Sequence, residues 1–228
     1  MKAVILAGGM GTRLRPYTTV LPKPLVPVKD KPIMEIVINQ LVKHGIKEIY
    51  ITTGHLAELI VAYFGSGEKF GIDINYSREE KPLGTAGPLC MIKEELTDTF
   101  LMMNGDILTD LNYSEIIEFH KKSKATATIG ITKRNVNIDY GVVEFTKEHQ
   151  INKWIEKPTI DYHVSMGIYV LEPKVLDYIP EDTKYDLPQL VIDLIENKES
   201  VRAYIYDGYW LDIGRLEDYQ KAMNNMEK

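Results

Sequence analysis

Apolar positions in the first half of the chain fall into short continuous runs separated by stretches of helical spacing. Residues 3–6, 48–53, 72–77 and 100–103 read as buried strands, whereas Ile33, Ile36, Val37 and Leu41 recur at the three- and four-residue intervals of one helix face. Pro32 suits the start of that helix and Gly45 its C-terminal cap. Residues 56–64, 86–96 and 113–122 read as further helices. This alternation predicts a parallel sheet covered by helices. Beyond residue 125 the pattern changes to short strands at 125–132, 141–146, 151–156 and 166–171, split by polar turns that suggest antiparallel additions. Helices are expected at 174–178 and 187–196, a strand at 201–206 and a last helix from Leu216. There is no repeat, low-complexity tract or linker, so residues 1–228 are expected to form one α/β domain.

Composition narrows the function classes. The 228 residues are 44% apolar, and a chain of this size buries roughly 70% of its extended surface, so it needs neither disulfides nor a structural metal to fold. With 33 acidic residues against 27 Lys and Arg the formal net charge is −6. That balance argues against nucleic acid or an anionic membrane as partner, but allows an anionic small substrate where basic side chains converge. The single Cys90 excludes a disulfide framework and fits a reducing compartment. No apolar run approaches the ~18 residues of a membrane span, and the N-terminal apolar run is too short for a signal peptide. The expected location is cytoplasmic.

Candidate chemistry begins after the first strand, at LAGGMGTRLRP. Gly8, Gly9 and Gly11 let backbone N–H groups approach a ligand, and Thr12, Arg13 and Arg15 can add hydrogen bonds to it. A phosphate cradle and a tight turn with incidental arginines both fit this segment. It matches neither a Walker A loop nor GxGxxG. Further on, Lys23 lies between Pro22 and Pro24 in a segment expected to be stiff, extended and non-helical. Such a lysine is suited to a phosphate, or is simply solvated. His55, His120, His149 and His163 share no metal-ligand spacing and are expected at the surface.

LAGGMGTRLRP, followed by PKPLVP and KPIME, resembles the N-terminal signature of the sugar-1-phosphate nucleotidyltransferases, closest to the catalytic domains of mannose-1-phosphate guanylyltransferases. The similarity continues in order through EEKPLGTAGPL at 79–89, MNGDIL at 103–108, YGVVEF at 140–145, EKP at 156–158 and WLDIGRLEDY at 210–219. The resemblance implies a single Rossmann-like three-layer domain with a mixed, mainly parallel central sheet. It also implies an enzyme that joins a nucleoside triphosphate to a sugar 1-phosphate with release of pyrophosphate. No general base is needed, since a phosphate monoester with a second pKa near 6 is already an anion at neutral pH. Mg²⁺ is the implied cofactor.

Carried over residue by residue, the resemblance makes Asp106 and Asp212 the metal ligands, with Arg13 facing the leaving pyrophosphate and Lys23 the transition-state phosphates. It places the nucleotide against Leu6, Gly8, Gly9, Gly11 and Thr12, with Glu80, Pro82 and Gly84 at the base edge. Lys157 would take the sugar phosphate, and Gly141 and Glu156 the sugar hydroxyls. Ser165 stands where many relatives carry Asn, which leaves the sugar open. The GTAG string implies GTP ahead of dTTP or UTP, and mannose 1-phosphate is the first expected acceptor. The alternatives are a thymidylyl- or uridylyltransferase and a non-catalytic regulatory homologue. Many mannose enzymes continue into a left-handed β-helix, which this sequence lacks, so a stand-alone catalytic domain is expected, with homo-oligomerisation open.

Overall fold

The computed structural model describes residues 1–225. In chain order its elements are β1 (Lys2–Ala7), β2 (Pro27–Val28), β3 (Lys31–Pro32), α1 (Ile33–Lys43), β4 (Glu48–Thr53), α2 (Ala57–Phe64) and β5 (Asp73–Arg78). There follow β6 (Phe100–Asn104), β7 (Ile107–Thr109), α3 (Tyr113–Ser123), β8 (Ala127–Asn137), β9 (Val142–Phe145), β10 (Ile151–Ile155) and β11 (Thr159–Leu171). The chain then forms α4 (Leu187–Glu196), β12 (Val201–Ile205), β13 (Trp210–Asp212) and α5 (Leu216–Asn225).

Seven strands form the central sheet in the order β12-β8-β11-β6-β1-β4-β5. Only β11 runs against its neighbours; β1, β4, β5 and β6 pair in parallel, as do β8 and β12. The expected mixed, mainly parallel sheet is therefore present. Successive side chains on a strand point to opposite faces, and the buried strands use both. Ala3, Ile5, Ile49, Ile51, Leu101 and Met103 meet α1, α2 and α3 on one face. Val4, Tyr50, Phe100 and Met102 meet residues 87–96 and α4 on the other. This makes three layers.

β1 pairs with β4 on one side and β6 on the other: the chain runs outward from β1 to β4 and β5, then crosses back to β6 on the opposite side, so the winding reverses at β1. Open α/β sheets bind ligands at such a switch point, outside the C-terminal ends of the strands.

Several elements differ from the sequence reading. Residues 87–95 wind as a 3₁₀ helix, broken at Ile92, with Pro88 at its start. The strands at 125–132 and 166–171 are the inner ends of the longer β8 and β11. Lys23 lies in a 3₁₀ turn, Lys23–Leu25, rather than an extended loop. Proline obstructs a helix interior but is tolerated in a first turn, whose N–H groups lack partners anyway. His120 is buried, not superficial: it lies on the sheet-facing side of α3, between the Thr128 hydroxyl at 2.8 Å and Glu172 Oε1 at 2.9 Å. Among the described residues no helix is long and apolar enough to cross a membrane.

Candidate active site

The C-terminal ends of β6, β1, β4 and β5 lie side by side and present Asp106, Gly8, Gly54 and Glu79 in that order along the sheet edge. Leu6, near the end of β1, is in register with Asn104 and Thr52, and its carbonyl accepts the Gly105 N–H at 2.9 Å. The glycine loop thus leaves the sheet directly beside Asp106.

Asp212 reaches the same place through a separate ribbon. β7, which begins one residue after Asp106, pairs antiparallel with β13, and Asp212 is opposite Ile107. The Ile213 N–H donates to the Asp106 carbonyl at 3.1 Å. A small core of Leu14, Val26, Val28, Ile33, Leu108, Leu211, Ile213 and Ala222 ties this ribbon to the loop that carries Arg13 and Lys23. Each fully buried aliphatic side chain contributes about 1.5–3 kcal/mol, so the loop is anchored from beneath while Arg13 itself stays exposed.

Gly11 needs its glycine: it adopts φ +60°, and a Cβ there would lie 2.9 Å from Thr18 Cγ2 and 3.2 Å from Lys23 Cβ. The buried Thr18 hydroxyl donates to the Gly11 carbonyl at 2.8 Å. Together they hold the glycine loop against the lysine turn.

Lys23 Nζ pairs with Asp106 Oδ2. Asp106 Oδ1 is buried with no hydrogen-bond partner among the described residues. Asp212 titrates above the usual Asp range because burial disfavours its charge and Asp106 adds to the effect, with Lys23 and Arg13 opposing both. A Cβ on Gly214 would lie 3.5 Å from Asp212 Oδ1 and 3.7 Å from an Arg13 nitrogen, so Arg13 and Asp212 flank the same buried glycine. Two carboxylates and two cations therefore converge from four separate chain segments.

The remaining expected site residues divide into two groups. Gly141 and Glu156 come together: a Cβ on Gly141 would lie 3.1 Å from Glu156 Oε2, which accepts the Trp154 indole N–H at 3.2 Å. Lys157 follows in a positive-φ turn (φ +44°) and is exposed. The Ser165 hydroxyl faces the Tyr169 hydroxyl at 3.0 Å and accepts the Gly167 N–H at 3.3 Å. None of these four touches the Asp106 cluster directly. Glu80 and Pro82 are exposed, whereas Gly84 is tucked under Tyr185 and Asp186.

The sequence reading passed over three contributors. Glu79, rather than Glu80, turns into the site: its Oε1 occupies the space a Cβ on Gly8 would need, and its Oε2 accepts the Leu83 N–H at 2.9 Å. Burial raises its pKa, with the Leu83 hydrogen bond acting the other way. Asn104 lies where a Cβ on Gly167 would meet its Nδ2 at 2.6 Å, and Gly167 has φ +71°. This packing joins the bulge in β11 to the strand that leads to Asp106. Arg134 stacks over Trp210, its guanidinium 4.9 Å from the ring centroid, two residues from Asp212.

The family profile of the nucleotidyl transferases matches residues 2–228. The chain belongs to this family. Among curated members it is 39% identical to a UTP–glucose-1-phosphate uridylyltransferase of Synechocystis, an alignment covering 99% of this chain and 63% of that protein. It is 38% identical to a mannose-1-phosphate guanyltransferase of Yarrowia lipolytica, over 96% of this chain and 62% of that protein. The chain thus spans less than two thirds of the length of these relatives. Among solved structures, a Bacillus anthracis chain named as a candidate glucose-1-phosphate thymidylyltransferase superposes with a TM-score of 0.81 at 26% identity, covering 99% of this chain and 94% of that one. The family fold is the three-layer sheet described above.

Proposed function

We propose that the chain transfers the nucleotidyl group of a nucleoside triphosphate to a sugar 1-phosphate and releases pyrophosphate, with GTP as donor and mannose 1-phosphate as the first acceptor to test. The reading rests on one observation: Arg13, Lys23, Asp106 and Asp212 meet at the β1–β6 switch point, while the Glu79 carboxylate closes the same strand edge at β5. The Glu79 side chain reaches back from β5 to Gly8 on the glycine loop, so its carboxylate stands beside the loop, one strand over from Asp106 at the end of β6.

An oxygen of the sugar phosphate attacks the α-phosphorus, and the bond to the bridging oxygen of pyrophosphate breaks. Because the nucleophile arrives as an anion, the site's work is positioning and charge stabilisation. Arg13 faces the leaving pyrophosphate and Lys23 the transferring group. The glycine loop supplies backbone N–H groups beside them, from Gly8 to Thr12. On the acceptor side, Lys157 takes the sugar phosphate, and Gly141, Glu156 and Ser165 line the sugar.

The unpartnered, buried Asp106 Oδ1 and the charge-strained Asp212 carboxylate form a donor set suited to Mg²⁺, a hard cation that leaves its other positions to phosphate oxygens and water. Held there, it would offset charge on the transferring and leaving phosphates.

Glu79 favours guanine, which offers N1 and N2 hydrogens to an acceptor, over adenine, whose N1 has none. Seven further curated relatives, 35–38% identical, are named as mannose-1-phosphate guanylyl- or guanyltransferases. A second reading, uridylyl transfer, is favoured by the 39% identity to the Synechocystis protein. Uracil presents one ring N–H to the same carboxylate. Pyrophosphate release across four nucleotides and several sugar 1-phosphates tests both: GTP leading supports the first, UTP leading replaces it with the second, and no release from any pair overturns transfer altogether.

A further inference from the structure

The loop after β5 is held by a segment a hundred positions later. Tyr185 N–H donates to the Leu83 carbonyl at 2.9 Å, and the Tyr185 carbonyl accepts the N–H groups of both Ala86 and Gly87 at 2.9 Å. Next to it, Asp186 Oδ1 accepts the Thr85 N–H at 3.1 Å and the Thr85 hydroxyl at 3.4 Å. That hydroxyl in turn accepts the Leu187 N–H at 2.8 Å, so its proton and a lone pair are both used. Lys81 and Asp182 pair at 2.7 Å across the rim. The fit is close enough to require glycine: Gly84 has φ +82°, and a Cβ there would lie 2.6 Å from Asp186 Oδ1 and 2.7 Å from the Tyr185 carbonyl.

We propose that residues 182–187 are a latch that fixes loop 81–87 and, through Leu83, the Glu79 carboxylate, and that Asp186 is a positioning residue for nucleotide selection. This rests on the reading that Glu79 contacts the base. Leu83 is the link. Its carbonyl is held by Tyr185 and its N–H holds Glu79 Oε2, so the position of the latch sets the position of the carboxylate. The latch is itself anchored: Leu187, Leu190 and Leu194 of α4 are buried in the second core layer. An acceptor aimed by a rigid loop discriminates bases more sharply than one on a mobile loop, because a mobile loop lets the carboxylate follow whichever base is present.

Steady-state kinetics of Asp186→Ala, Asp186→Asn and Thr85→Ala, together with native-state amide exchange, provide the test. Loss of the Asp186–Thr85 hydrogen bonds should raise KM for GTP about tenfold in Asp186→Ala and Thr85→Ala. The GTP-to-UTP ratio of kcat/KM should narrow, while KM for the sugar 1-phosphate stays within about twofold. Asp186→Asn keeps an acceptor oxygen and should restore both values. In Asp186→Ala the Thr85 amide should exchange faster than in the parent chain. An unchanged GTP KM and nucleotide ratio, a loss shared equally with the sugar 1-phosphate, or unchanged Thr85 exchange would each overturn the proposal. A parent chain that transfers no nucleotide would overturn the transferase reading instead, and Thr85 exchange would still decide whether the latch exists.

Discussion

Lys23 neutralises one oxygen of Asp106 and leaves the other buried and without a hydrogen-bond partner among the described residues. A buried carboxylate oxygen without a partner costs about 1–3 kcal/mol or more, a cost that binding a cation would remove. Asp106→Asn and Asp212→Asn are each expected to lower kcat/KM by at least ~100-fold, about 2.7 kcal/mol of transition-state stabilisation. Their melting temperatures should stay close to the parent's. Pyrophosphate release with and without added Mg²⁺ reads this out; full activity of a variant in chelator-treated buffer would remove that residue from the proposed metal role.

Arg13 and Lys157 are on opposite sides of the proposed reaction. Arg13→Ala is expected to lose kcat with the nucleotide saturating, and Lys157→Ala to raise KM for the sugar phosphate with kcat little changed. Initial rates over a grid of both substrates separate the two patterns. Identical patterns would mean that the subsites are wrongly assigned.

Glu79→Gln keeps the size and one acceptor of the side chain but loses the charge. Hydrogen bonds to charged groups contribute about 1.5–3 kcal/mol, against about 1 for neutral ones. The variant should therefore lose roughly tenfold in kcat/KM with GTP and less with UTP. An equal loss with all four nucleotides would show that Glu79 supports the glycine loop without reading the base.

Away from the site, Glu199 accepts hydrogen bonds from Lys174 at 2.6 Å, Thr126 at 2.7 Å and Tyr178 at 2.9 Å. Lys174 foremost, then Thr126, lowers its pKa to about 2. A depressed carboxylate stabilises the fold above its unfolded pKa and stops doing so as pH falls through the folded one. Glu199→Gln should thus have a lower urea midpoint than the parent at pH 7, with the gap narrowing as pH drops from about 4.5 towards 2. A gap independent of pH would assign the loss to packing.

Much of the fold could be read from periodicity because its central strands are buried on both faces and its helices carry one apolar stripe each, as in Ile33 to Leu41. The short ribbon of β7 and β13 could not. Three residues per strand give no periodicity, and the two halves are a hundred positions apart, so what brings Asp212 to Asp106 is a long-range pairing. The same limit explains Glu79. In the string EEKP two carboxylates are adjacent, and only the turn of the chain against Gly8 selects the first. Tyr185 and Asp186 contact the loop mainly through backbone groups and one short side chain, which leaves no compositional trace. By contrast, Arg13, Lys23 and Asp106 lie beside glycines and prolines whose backbone demands are visible in the sequence itself.

β8 and β11 run without interruption from the core sheet into the exposed lobe that carries Gly141, Glu156 and Lys157. The lobe is therefore a cantilever grown from the sheet, with no linker on which to swing. For it to approach the proposed nucleotide end of the site, the two-strand ribbon must flex or twist, and its built-in irregularity is the bulge between Ser165 and Tyr169. Gly167, at that bulge, rests on Asn104, two residues ahead of Asp106. The base of the proposed sugar side is thus set against the strand that leads to Asp106.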